Sequence, residues 1–268
     1  MNQVDEQTGA LLGPDDPPAI SIFNPTGAAP VIVVCDHASN AIPRVLDRLG
    51  LDERAIGSHI SHDIGAADVA RQLAGRLDAP AVMSGYSRLV VDCNRRLDHE
   101  SLIIAQSDGV TIPGNRDLDA GEVSRRLKEI FWPYHHRIGN GISGFAQRGI
   151  KPAILSIHTF TAMIDNVPRP WHVGVLWDRD PRIAVPLIGA LRAAGELEVG
   201  DNQPYSGRQK LGYSIETHAT ETGLPNVLIE IREDMVDDAA GAGLMAEILA
   251  RALEPILAEP GLYRSERF

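Results

Sequence analysis

Val31-Ile32-Val33-Val34-Cys35 gives way abruptly to Asp36-His37-Ala38-Ser39-Asn40. A short β-branched run bounded by turn formers reads as a strand buried on both faces, and in open α/β sheets ligands gather where such strands end. The same grammar recurs along the chain. Leu89-Val90-Val91 runs into Asp92-Cys93-Asn94-Arg95, Ala153-Ile154-Leu155 into Ser156-Ile157-His158, and Val227-Leu228-Ile229 into Glu230-Ile231-Arg232. These predicted strand ends deliver two histidines, an Asn-Arg pair and a glutamate.

The intervening sequence has helical spacing. Val69, Leu73 and Leu77 mark a helix over 66–77, with Asp63 just upstream in Ser61-His62-Asp63-Ile64-Gly65. A short helix is expected over 41–49, and a long one from about 121 to 145 carries Val123, Leu127, Ile130, Phe131, Tyr134, Ile138 and Ile142 on one stripe, with Pro133 expected to kink it. Further strands are expected near 81–84, 88–92 and 172–177, and further helices over 183–194 and 238–257. The 98–118 loop has turn chemistry throughout and is long enough for a functional excursion. Strands separated by helices predict a three-layer αβα fold around a mostly parallel or mixed sheet, with an irregular segment over 201–225 inserted before the last strand. Residues 21–268 read as one α/β domain, and 1–20, with Asp15-Asp16-Pro17-Pro18, as a poorly ordered lead-in.

A formal net charge of -11 argues against a nucleic-acid surface, which needs clustered Lys and Arg, and the longest basic run is Arg95-Arg96. No apolar stretch approaches the ~20 residues that span a bilayer, and the first residues lack a basic segment followed by an apolar one, so the expectation is a cytoplasmic protein with no membrane partner. Cys35 and Cys93 both fall in runs read as buried strands and are expected to be reduced core residues.

His37 and His158 with a carboxylate suit a catalytic metal site, zinc being the expected divalent ion, in which three protein ligands leave one position open for a water of lowered pKa. Asp63 is the first choice for the third ligand and Asn40 the alternative, with Asp36 and His62 in reserve. Glu230 points opposite to Ile229 and Ile231 along a strand, so it is at risk of burial and needs a partner: a water if it acts as general base, or a cation such as Arg232. Asn94-Arg95 offers an amide donor and a planar fork for a substrate carboxylate, or a salt bridge to Asp92 or Asp98. His135, near the helical stripe, reads as an interhelical hydrogen bonder and His172 as a strand residue, whereas His218, in the irregular segment, is a candidate to act on substrate. Asp201 to Gly207 reads as a pocket wall or a turn.

Taken together these segments resemble the N-formylglutamate amidohydrolase family, the enzymes that release formate from N-formyl-L-glutamate in histidine breakdown. The strand ending at His37, the Asp63 connection, Arg88-Leu89-Val90-Val91-Asp92-Cys93-Asn94-Arg95, Ser156-Ile157-His158, Asn202-Gln203-Pro204-Tyr205-Ser206-Gly207 and Ile229-Glu230-Ile231-Arg232 carry the likeness. The resemblance implies a fold similar to zinc carboxypeptidases and aspartoacylase-like deacylases, with His37 and His158 as ligands, Glu230 as general base and acid, and Arg95 with Asn94 as carboxylate binders. Arg88 or Arg232 then holds a second carboxylate. The chain departs from the family in lacking the usual His-Ser-Gly after the first strand, and Asn40 stands where related sites carry a glutamate. The leading expectation is a metal-dependent amidohydrolase that cleaves the N-acyl amide of a small acidic amino acid, N-formyl-L-glutamate being the favoured substrate. Its rivals are a deacylase acting on another N-acyl amino acid or a peptide end, and a metal-less module that senses acylated amino acids, which Asn40 favours.

Overall fold

A computed structural model describes residues 9–209 and 212–268. Seven strands form one mixed sheet. In chain order they are β1 (Ile20–Phe23), β2 (Val31–Cys35), β3 (Ala81–Ser84), β4 (Ala153–Phe160), β5 (Val173–Leu176), β6 (Val199–Asp201) and β7 (Asn226–Arg232). Their spatial order is β1-β3-β2-β4-β7-β5-β6, with β3, β2, β4 and β7 mutually parallel, β1 antiparallel at one edge, and the β5–β6 pair reversed at the other.

Alternation along the central strands sorts the core into two layers. Val31, Val33, Cys35, Leu155, Ile157, Val227, Ile229 and Ile231 face α1 (Ala66–Arg76), α4 (Pro181–Ala194) and α5 (Ala239–Leu257). Ile32, Val34 and Ile154 face the opposite way, toward Phe131, Tyr134 and Ile138. On that second face α3 (Trp132–Gln147) packs over β3 and β2. The same face of β4, β7 and β5, which presents His158, Glu230, Leu228 and Leu176, instead lines a cleft. The three-layer expectation holds, and its second helical layer is incomplete where the site lies.

Local expectations fare unevenly. The long helix is α2 (Ala120–Arg126), a π-helical turn at Leu127–Phe131, and α3; the irregular turn falls just ahead of Pro133, which has no N–H to continue the ladder. The helix expected over 41–49 is instead a 3-10 segment, Arg44–Gly50, in which Asp47, Arg48 and Leu49 turn left-handed, and Leu49 is thereby buried against the Pro113-Gly114 turn. The strand expected over 88–92 is a buried run of turns, because its carbonyls are taken by side chains rather than a neighbouring strand: Asn115 donates to Leu89 O at 2.7 Å and Arg126 to Val90 O at 3.0 Å. Within the 98–118 loop, Gln106–Ser107 and Val110–Thr111 form a hairpin around Asp108-Gly109, both at positive φ. Of the lead-in expected over 1–20, residues 1–8 lie outside the described residues. The remainder is docked rather than loose: Leu11 is buried, its N–H and that of Leu12 donate to Glu129, and Pro17 O accepts from the Tyr86 hydroxyl. Both cysteines are free and buried, and Cys93 lies in the turn-rich run rather than a strand.

Candidate active site

His37 follows β2 with only Asp36 between, but His158 and Glu230 are inside strands that run two residues farther in each case, so they meet the cleft from a sheet face rather than from strand ends. They are paired neighbours across β4 and β7, and Gly174 of β5 is Glu230's partner on the other side. Asp63 reaches the same point from the connection before α1. Its N–H donates to His37 O at 3.0 Å, and Gly65, at φ +77°, passes so close to Val236 O that a Cβ would lie 2.1 Å away.

One ligand atom each from His37, Asp63 and His158 lies within 4.8 Å of the others, and all three residues are buried. Both histidines turn Nδ1 toward Asp63, at 3.3 Å and 2.8 Å. Each gives Nε2 to a different buried carboxylate: His37 to Asp92 Oδ1 at 2.8 Å, His158 to Asp36 Oδ2 at 3.1 Å. This is the outer arrangement that fixes tautomer and ring orientation in histidine-ligated metal sites. Asp36, a reserve ligand by sequence, therefore stands behind one histidine. Asp92, whose role the sequence did not reveal, stands behind the other and also binds Arg88 at 2.9 Å.

Electrostatics follow from this packing. Burial alone would push the two imidazoles down, but Asp92 and Asp63 outweigh it for His37, and Asp36 and Asp63 hold His158 well above its ordinary value. Burial would likewise raise the aspartates; the histidines overcome it, leaving Asp63 and Asp92 well below the carboxylate range and Asp36 at about 2. Three buried carboxylates thus face Arg88 and two imidazoles whose protonated forms they favour. A divalent cation at the same point would supply the positive charge that these carboxylates draw in, so the donor set fits such an ion. Glu230 differs: burial dominates and lifts it to about 7, and its Oε2 has no hydrogen-bond partner among the described residues.

The cleft encloses about 670 Å³. His37, Asp63, His158, Glu230, Arg88, Asn94 and Arg95 line it, with Trp177, Tyr205, Ser206, Gly207 and Phe268 forming outer walls. The Asp201–Gly207 turn is accordingly a wall, whereas nothing from 98–118 lines the cleft. Asn94 Oδ1 accepts from the backbone N–H groups of Tyr213 and Ser214 at 2.8 Å and 3.1 Å, which orients its Nδ2 donors. Arg95 is held by Ser101 at 3.1 Å and by Asn94 O at 3.0 Å.

Several sequence candidates are elsewhere. Arg232 does not line the cleft: it bonds Asp234 at 2.8 Å and Arg169 O at 3.4 Å. His218 is also outside the lining, stacked on His135 and hydrogen-bonded to it at 3.0 Å; burial holds the two at about 4 and about 3. His135 reaches Cys93 O at 2.9 Å, so its predicted role as a structural hydrogen bonder fits. Asn40 and His62 do not line the cleft, and His172 accepts from Glu198 N just ahead of β5. Among the described residues no helix is long and apolar enough to cross a membrane.

Residues 29–236 match the family model for N-formylglutamate amidohydrolase. Among solved structures the chain is similar to a gene product of Agrobacterium tumefaciens, at 33% identity and a TM-score of 0.87 over 92% of this chain and 99% of that one. It is also similar in fold to the N-formylglutamate amidohydrolase from Ralstonia eutropha, at 20% identity and a TM-score of 0.60 over 89% and 97% of the two chains. No curated protein sequence matches the chain.

Proposed function

The chain belongs to the N-formylglutamate amidohydrolase family and is thus a hydrolase of amides, and we propose that it is a metal-dependent enzyme releasing formate from N-formyl-L-glutamate. In this reading residues 21–268 are one catalytic domain that works in the cytoplasm in histidine degradation. The observation that supports it is the convergence, in one cleft, of the His37-Asp63-His158 cluster, a buried glutamate poised at about 7, and an Asn-Arg pair. A divalent ion, zinc by preference, held by these three residues supplies Lewis-acid activation of the formyl group.

The chain's own groups do the rest. Glu230 takes a proton from the attacking water as the oxygen bonds to the formyl carbon. It returns that proton to the nitrogen as the C–N bond breaks, leaving formate and free glutamate; a pKa near the working pH suits both halves of this task. Arg95 and the Nδ2 donors of Asn94 hold the α-carboxylate. Arg88, which lines the cleft while bound to Asp92 and Asp63, is left as the cation for the second carboxylate, since Arg232 lies outside the lining. His218 has no place in this scheme.

Formate release measured side by side on zinc-loaded and chelator-stripped protein tests the proposal. Release that disappears with the metal and returns with zinc is expected, and none from zinc-loaded protein would remove the substrate. The cleft volume and the aromatic walls of Trp177 and Phe268 favour one second reading, a deacylase of a bulkier N-acyl amino acid. A panel of N-acyl glutamates separates the two by kcat/KM.

A further inference from the structure

Ser214 lies in the irregular segment ahead of β7, where no sequence pattern marks it, yet it is 1% exposed. Its hydroxyl donates to Asp36 Oδ1, and the other oxygen of Asp36 accepts from His158 Nε2, a nitrogen that also lies 3.1 Å from Ser156 Oγ. Its backbone N–H, together with that of Tyr213, donates to Asn94 Oδ1. Gly212 permits the approach, because a Cβ there would sit 3.0 Å from that same oxygen.

One residue thus supports, by two different groups, two neighbouring members of the site, since Asn94 Nδ2 lies 3.5 Å from His158 Nε2. We propose that Ser214 is a positioning residue that sets these two groups jointly, its side chain fixing the Asp36 carboxylate behind His158 and its backbone fixing the amide of Asn94. This inference rests on the roles given above to His158 and Asn94. A carboxylate with one oxygen on a serine and the other on an imidazole cannot swing, and an amide whose oxygen accepts two N–H groups presents its NH2 in one direction. Without the hydroxyl, Asp36 Oδ1 loses a buried donor and the 212–215 segment loses its anchor, so His158 and Asn94 loosen together.

The test compares Ser214→Ala with Ser214→Thr, which keeps the hydroxyl. In metal-free protein, the side-chain 15N–1H signals of the His158 ring and the Asn94 amide are expected to move together in Ser214→Ala and to stay near their native positions in Ser214→Thr. Zinc affinity, measured by competition with a chromophoric chelator, is expected to fall about 10-fold in Ser214→Ala and to be unchanged in Ser214→Thr. At saturating zinc, KM for N-formyl-L-glutamate is expected to rise about 10-fold in Ser214→Ala with kcat nearly unchanged. Movement of only one of the two signals, or a Thr variant that behaves like Ala, overturns the inference. If the wild type neither binds zinc nor releases formate, the functional reading falls, while the spectra still decide the coupling. Should Ser214→Ala not fold, Ser214→Cys, nearly the same size with a weak donor, supplies the comparison.

Discussion

Glu230 shows how one residue's surroundings set its chemistry. Neighbouring isoleucines face a helical layer while it faces the cleft, and desolvation rather than any single charge raises it. Glu230→Gln keeps the shape but cannot carry a proton, so kcat should fall about 10²- to 10⁴-fold with zinc stoichiometry intact; normal turnover in that variant would dismiss the base. The same substitution has a stability signature in metal-free protein. Below pH 4.5 Glu230 is protonated in both folded and unfolded chains and costs nothing. Between 4.5 and about 7 the unfolded chain ionises first, so folded stability is lost as pH rises. The shift, 7 minus 4.5, corresponds to about 3 kcal/mol, so Glu230→Gln should match the wild type in acid and exceed it by up to that amount above pH 7. Parallel denaturation curves across this range would argue against the buried, desolvated carboxyl. The two histidines make a companion case. Because Asp92 and Asp63 raise His37, and Asp36 and Asp63 raise His158, zinc binding near pH 6.5 should release more than one proton per ion, read by calorimetry in buffers of different ionisation enthalpy. Zero release would mean that the imidazoles are neutral before the metal arrives.

At the scale of elements, the site depends on register and on one connection. The parallel pairing of β4 with β7 sets Glu230 beside His158, and a one-residue slip of β7 would send Glu230 into the helical layer. Asp63 is held by a turn that only glycine can close at residue 65, where φ is +77° and Val236 O is in the way. Gly65→Ala should cost about 2 kcal/mol or more of stability and weaken zinc binding as well, whereas a variant of native stability would show that the turn has slack. The alternation of Ile229, Glu230 and Ile231 was legible in the sequence, and so were β2, α1 and the long helix. The run at 88–92 was not: Leu89-Val90-Val91 has strand composition, but its carbonyls pair with Asn115 and Arg126, residues far along the chain. Periodicity reports that a run is buried and is silent on which groups satisfy its backbone.

At the scale of the molecule, the cleft exists because helices cover one face of the sheet fully and the other only in part. Metal ligation should tie these layers together: at zinc 100-fold above Kd the folded state gains about 2.7 kcal/mol, or roughly 5–10 °C in Tm for a chain of this size. A Tm indifferent to chelation would remove the metal from the cluster. By itself the sequence determined the αβα class, the histidines, the Asp63 connection, the buried glutamate and the Asn-Arg pair, because hydrophobic periodicity and the cost of burying charge are written locally. Tertiary structure alone decided that Asp92 and Asp36 stand behind the two histidines, that Ser214 reaches both Asp36 and Asn94, and that Arg232 and His218 point to other partners. Those choices depend on which side chains meet across distant segments, and a linear pattern carries no record of distance.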